Sequence, residues 1–297
     1  MDKLRVLILV DVWGWAFDFV ARGIQKHSRN FVVVKRWNEV VEEDARIYDC
    51  LFSMNDSCWF AMGDKRQKWF DRFENKCVGI RGEEMPCDRI LEGWTIAAVS
   101  QRIYDGLTSE NLPVKNVYLC RNGVDTGIFK PTNRTNRQNR LVVGWAGNPT
   151  QQLKRFHLLT RINKSQFSLL TMTKWGPQFF HKGRDRQDMI NFYPKLDTFI
   201  NVSIHEGMPQ TVLEAAATKL PMVVTDVGGM PEFVDSEWVI PVNPEDVLVG
   251  ELNRKLQILK DDYGLRRKIG ERNYRKVVRE WSWENRARDY DDMFEGK

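Results

Sequence analysis

TFINVSIHEGMPQTVLEAAATKLPMVVT, residues 198–225, is the most informative stretch of this chain. Thr198–Ser203 is a short apolar run of the kind a fully buried parallel strand requires. A glycine loop follows, then a helical stretch at Thr211–Thr218, then a second apolar run at Met222–Thr225. Strand, helix and strand in that order imply a βαβ unit and a parallel sheet. The loop opens a helix N-terminus, where unpaired N–H groups and a partial positive charge suit an anion. Gly207 lets the backbone approach that anion closely. Glu206 stands at the loop mouth and Glu214 about one turn into the helix. A carboxylate accepts hydrogen bonds from two neighbouring hydroxyls, so the segment reads as a site for a phosphate and a diol. His205 is expected to orient the loop rather than act as a base.

The same alternation extends in both directions. Upstream, apolar runs at Leu4–Val10, Phe31–Val34, Cys50–Met54, Cys77–Ile80, Trp94–Ser100 and Val117–Cys120 read as strands, with a helix at Ala16–His27. Asn122-Gly123 signals a turn. The polar run Asn133–Arg140 carries three arginines and no acid, and reads as a linker or a phosphate-contacting edge. Strands then resume at Leu141–Gly144, Phe167–Met172, Thr198–Ser203, Met222–Thr225 and Val239–Pro241. Asp246–Phe294 is helical apart from Glu280–Trp283, where Ser282 suits an N-cap. The expected organisation is an N-terminal Rossmann-like domain over 1–130 and a linker over 131–140. A second Rossmann-like domain over 141–280 and a closing helix over 281–297 complete it. Ligands bind such sheets at the carboxyl ends of their strands, and a cleft between two such domains is the expected site.

Composition narrows the class. The chain has 297 residues, 42% hydrophobic and 29% charged, which argues against disorder. The net charge of +5 permits an anionic ligand, a nucleic acid or an anionic membrane and selects none. Cys50, Cys58, Cys77, Cys87 and Cys120 are odd in number and form no CxxC pair, so a reducing, cytoplasmic setting is expected rather than a disulfide framework or zinc site. No signal peptide and no transmembrane run is expected. No metal site is expected either, since Asp291-Asp292 falls in the last helix and no HExxH or P-loop occurs; no GxGxxG dinucleotide fingerprint occurs.

Glu206 and Glu214, with seven residues between them in HEGMPQTVLEAAATKLPMVVTDVGGMPEFV, resemble the Glu-x7-Glu signature of the retaining "glycosyl transferases group 1" family. NGVDTGIF (122–129), VVGWAGNPTQQLKR (142–155), VTDVGGMPEFV (224–234) and WSWENRARDY (281–290) resemble further family segments. The resemblance covers residues 95–290 well and 1–95 in outline. It implies the GT-B architecture, α/β with two Rossmann-like domains facing across a cleft. It also implies a nucleoside-diphosphate sugar as donor, with no separate cofactor, and a saccharide or glycolipid hydroxyl as acceptor. Glu214 would bind the ribose. Glu206 would contact the donor sugar, beside the Gly207-Met208-Pro209 backbone and Thr211. Lys154 would neutralise the leaving diphosphate. Retention would follow from the leaving phosphate helping to deprotonate the acceptor. Glu232, after Gly228-Gly229, reads as a helix-start acid.

The sequence departs from the family at two places. Asn148 stands where an arginine is usual, with Arg155 available for the second positive charge. Gly79-Ile80-Arg81-Gly82-Glu83-Glu84 lacks the family's histidine, and Arg81 takes its place. Trp13, Gly14 and Trp15 follow the first strand and are expected on the acceptor side; Trp15 and Phe17 suit a helix core equally well. His27, His157 and His181 read as surface or core-edge residues. The alternatives are a modified base in DNA as acceptor, a non-catalytic binding protein on the same scaffold, and a nucleotide-sugar isomerase. Nucleic acid is not favoured, and peripheral membrane contact is left open.

Overall fold

The computed structural model describes residues 3–71, 73–82, 92–132, 140–173 and 186–297. Residues 133–139 of the expected 131–140 linker, Glu83, Glu84, Cys87 and His181 lie outside these. The chain forms two compact units, with the described residues up to Gly123 and from Trp283 in the first, and those from Val124 to Ser282 in the second.

In the first unit, β1 (Arg5–Val10), β2 (Phe31–Arg36), β3 (Cys50–Ser53), β4 (Lys76–Ile80), β5 (Thr95–Ala98) and β6 (Asn116–Leu119) form one parallel sheet. Its order is β2-β1-β3-β4-β5-β6. Val6 to Val10 are wholly buried, which is why β1 carries no polar alternation. The run expected at Trp94–Ser100 is shorter as a strand. Ser100 leaves the sheet and accepts a hydrogen bond from Ile103 N–H as N-cap of the Gln101–Ser109 helix. The Trp283–Glu295 helix closes this unit. Its Trp283 ring fills the space over Gly23 and Gly123, where an added Cβ would lie 2.2 and 2.7 Å from ring atoms. Arg29 donates to Asp292 at 2.7 Å and to Glu295 at 2.7 and 2.8 Å, fixing that helix's end.

In the second unit, β7 (Leu141–Ala146), β8 (Phe167–Met172), β9 (Thr198–Asn201), β10 (Met222–Thr225) and β11 (Val239–Ile240) form a parallel sheet in the order β11-β10-β9-β7-β8. The Gln210–Ala217 helix joins β9 to β10 and is buried from Val212 to Ala217. Its run of alanines allows close packing, and Gly270 of the Tyr263–Lys276 helix meets the turn beyond it, where a Cβ would lie 2.2 Å from the Lys219 carbonyl oxygen. The helical region expected over Asp246–Phe294 is divided into Glu245–Asp261, Tyr263–Lys276, a wider turn at Val277–Trp281 and the closing helix. Among the described residues no helix is long and apolar enough to cross a membrane.

Candidate active site

The order of the second sheet contains its own pointer. The chain leaves β7 toward β8 on one side and returns to β9 on the other. The carboxyl ends of β7 and β9 therefore flank a topological switch point, where open α/β sheets bind ligands. The loops after those two strands carry Lys154 and Glu206.

They meet there. Leu153 accepts a backbone hydrogen bond from Ile204 N–H at 2.9 Å, which sets the two loops in register. Lys154 Nζ donates to Glu206 Oε1 at 2.5 Å. The pair is secluded, with the Lys154 side chain 22% exposed and that of Glu206 9%. A secluded ion pair holds its desolvated charges only while they satisfy each other or a ligand. The β10 loop supports the arrangement from below. Gly228 has φ +50°, and a Cβ there would lie 2.2 Å from the carbonyl oxygens of both Glu206 and Gly207. Gly229 N–H donates to Gly207 O at 2.6 Å. Only glycine combines that left-handed conformation with that approach.

Beyond the loop, Pro209 precedes the helix and no side chain caps it. Its positive end thus stands by the Glu206 loop, where an anion is favoured. Met208 is buried, so its side chain belongs to the core. Pro209 and Thr211 are partly exposed at the helix start. Gln210 Nε2 is buried without a hydrogen-bond partner among the described residues, a donor that sequence reading missed. Glu214 is 5% exposed, and Tyr193 Oη donates to its Oε2 at 2.7 Å. Tyr193 is itself buried between Phe129, Phe192 and Phe199. A tyrosine just before Pro194 gave no sequence signal for this role. Ser203, whose hydroxyl donates to Glu206 Oε1 at 2.7 Å, was also missed, although its place three residues before the glutamate could have suggested it.

Other expected residues have different duties. Arg155 is buried with φ +48°, and it donates to Val242 O at 2.6 Å and Asn243 Oδ1 at 2.8 Å. Its guanidinium therefore braces the Val242–Asn243 turn, and the second positive charge expected beside Lys154 is committed elsewhere. Asn148 Oδ1 accepts from Thr150 N–H at 3.0 Å and Thr150 Oγ1 at 2.8 Å, which shapes the β7 loop. His205 is exposed. Glu232 lies in the short Met230–Phe233 helix.

In the first unit, Gly14 has φ +76° and donates its N–H to buried Asp18 at 2.8 Å, which also binds Arg22 at 2.9 Å. Trp13 Nε1 donates to Glu39 at 3.0 Å, and Arg22 lies over its ring. Trp15 precedes the Ala16–His27 helix, and its carbonyl accepts from Phe19 N–H. Asp11, at the end of β1, is pushed above the usual carboxylate range by burial, against the opposing pull of the Val12 N–H and the Arg36 charge. Arg81 donates to Met54 O at 3.1 Å, Asn122 Oδ1 at 2.9 Å and Tyr290 Oη at 3.2 Å. It ties the ends of three strands to the closing helix. Burial lifts the Tyr290 hydroxyl to about 12, and it donates in turn to Cys120 O at 3.0 Å.

Two parallel-sheet Rossmann-like units are the GT-B architecture. Anabaena HepE in complex with UDP-glucose is similar at TM-score 0.75 and 13% identity, covering 99% of this chain and 100% of that one. Sucrose-phosphate synthase from Thermosynechococcus elongatus is similar at TM-score 0.74 and 12% identity, covering 99% of each chain. In sequence, residues 139–261 match the family described as "Glycosyl transferases group 1". An uncharacterized glycosyltransferase of Methanocaldococcus jannaschii is 33% identical over 101 residues, 33% of this chain and 25% of that protein. The MMP alpha-(1->4)-mannosyltransferase of Mycolicibacterium hassiacum is 25% identical over 219 residues, 67% of this chain. The matched part spans about half of the mannosyltransferase, 52% of its length.

Proposed function

We propose that the protein is a glycosyltransferase that moves a sugar from a nucleoside-diphosphate sugar to a saccharide or glycolipid hydroxyl, with retention of configuration and without a resident metal. The observation that carries this reading is the Lys154–Glu206 pair at the β7–β9 switch, beside the start of a buried helix that holds Glu214. In this reading the diphosphate draws Lys154 away from Glu206. Charge on the leaving diphosphate grows in the transition state, so a fixed cation there lowers the barrier. Glu206 accepts a hydroxyl of the transferred sugar. Glu214 accepts the ribose diol, steadied by Tyr193. The leaving phosphate oxygen receives the acceptor's proton on the face from which the nucleotide departs, so no enzyme nucleophile is needed. The match of residues 139–261 to "Glycosyl transferases group 1" supports the donor side of this reading. The acceptor class is suggested by the mannosyltransferase relative and by an Escherichia coli relative described as a UDP-Gal:alpha-D-GlcNAc-diphosphoundecaprenol alpha-1,3-galactosyltransferase, 35% identical over 72 residues.

The test is nucleoside diphosphate release from UDP-, GDP- and ADP-sugars over a panel of glycan and glycolipid acceptors, with and without EDTA, and product anomers read by NMR. Acceptor-dependent release that survives EDTA and gives an axial-to-axial product supports the reading. Release only with an added divalent ion, or an inverted anomer, would sink those two parts of it. A donor converted without any acceptor would mark an isomerase instead.

A further inference from the structure

Glu206 is gripped by one oxygen. Lys154 Nζ at 2.5 Å, Ser203 Oγ at 2.7 Å and Asn201 Nδ2 at 3.4 Å all donate to Oε1. Among the described residues no hydrogen bond reaches Oε2. The donors differ in how firmly they are placed. Ser203 is 1% exposed, and its backbone is pinned on both sides. Its N–H donates to Asn201 Oδ1 at 2.9 Å, and its carbonyl accepts from Thr225 Oγ1 at 2.7 Å, so the residue is tied to the ends of β9 and β10. Lys154 is a flexible ammonium arriving from the β7 loop, with three donors it can redirect.

We propose that Ser203 is a positioning residue: it keeps Glu206 Oε1 in place when Lys154 leaves for an anionic ligand, and so holds Oε2 toward a hydroxyl of the transferred sugar. The proposal rests on the reading that the sugar of a nucleoside-diphosphate sugar lies against Glu206. Without the Ser203 hydroxyl, departure of Lys154 leaves Oε1 only the Asn201 amide at 3.4 Å, beyond good hydrogen-bond length. The terminal torsion of a glutamate is broad, so the carboxylate would then turn freely. Ser203 thus serves recognition of the sugar and leaves recognition of the diphosphate to Lys154 and the helix.

The experiment compares wild type with Ser203→Ala by calorimetric titration of UDP-glucose, GDP-mannose and ADP-glucose, each beside its own nucleoside diphosphate. Affinity for the bare diphosphate is the internal control for folding. The expected result is an unchanged diphosphate Kd and a sugar-conjugate Kd weakened roughly tenfold, the scale of one hydrogen bond to a charged group. Equal weakening of both, or no weakening of either, would overturn the positioning role while leaving the proposed reaction standing. Binding of none of the six compounds by wild type would overturn both.

Discussion

The carboxyl edges of the two sheets are built from similar materials and use them oppositely. At the edge of β7 to β11, a cation and a carboxylate from different loops pair with each other, over glycines that hold the backbone close. At the edge of β1 to β6, Arg81 is bound to Met54, Asn122 and Tyr290. A side chain whose partners are backbone carbonyls and buried amides has nothing to exchange with a ligand. One whose partner is another mobile charge does. On the proposed reading, the edge of β7 to β11 exchanges its pair for a ligand, whereas Arg81 keeps its partners at the edge of β1 to β6.

The comparison breaks most sharply at Lys154. Lys154→Ala should lower kcat by about 10²–10³, the usual loss when a group stabilising transition-state charge is removed, and should also lower the melting temperature, since the secluded Glu206 carboxylate loses its cation. A variant that melts early and turns over normally would reverse the assignment. Glycine substitutions sharpen the contrast next. Gly228→Ala forces a Cβ against two backbone carbonyls at positive φ, and should lose both stability and nucleotide affinity. Gly23→Ala meets the Trp283 ring instead, and should cost about 1–3 kcal/mol by overpacking with nucleotide affinity unchanged. Urea unfolding beside nucleotide titration separates the two outcomes.

Arg81→Gln should cost about 1–2 kcal/mol by leaving buried acceptors short of donors, again with wild-type nucleotide affinity. Weaker binding with unchanged stability would return Arg81 to a ligand role. The smallest effect concerns acid. The Arg29 guanidinium holds the Glu295 carboxyl at about 2, well below its ordinary 4.5. A carboxylate depressed in the folded state stabilises it fully above its unfolded value and loses that contribution as pH falls toward the folded one. The urea midpoint should therefore decline between about pH 4.5 and 2, and Glu295→Gln should flatten part of that decline. An unaltered pH profile in the variant would show that the Arg29 contact is not felt in stability.

The same contrast explains what could be read before the structure. The strand ladder was legible because strands buried on both faces are written as continuous apolar runs, as in Val6–Val10 and Met222–Thr225. Glu206, Gly207 and Glu214 stood out because one strand–loop–helix unit carries them within a few residues. The Lys154 contact depends on a partner 52 positions away, yet its motif near β7 was recognisable. Arg81 and Arg155 could not be resolved, since an arginine beside a loop glycine reads alike whether it meets a ligand or a backbone carbonyl. The bonds to Met54 O and Val242 O are visible only in the folded chain. Tyr193 and Ser203 escaped for a related reason: each bonds a carboxylate, and a hydroxyl carries no charge to attract notice.

The central claim is that the second unit holds a nucleoside diphosphate through the Lys154 loop, the Glu206 loop and Glu214. A thermal-shift titration of the whole chain with UDP, GDP and ADP, for wild type, Lys154→Ala and Glu214→Gln, tests it directly. At about 100 times its dissociation constant a ligand adds roughly 2.7 kcal/mol of stability. One nucleotide should raise the wild-type melting temperature clearly, with the rise reduced in each variant. A rise of equal size in all three proteins would place the nucleotide elsewhere and contradict the account.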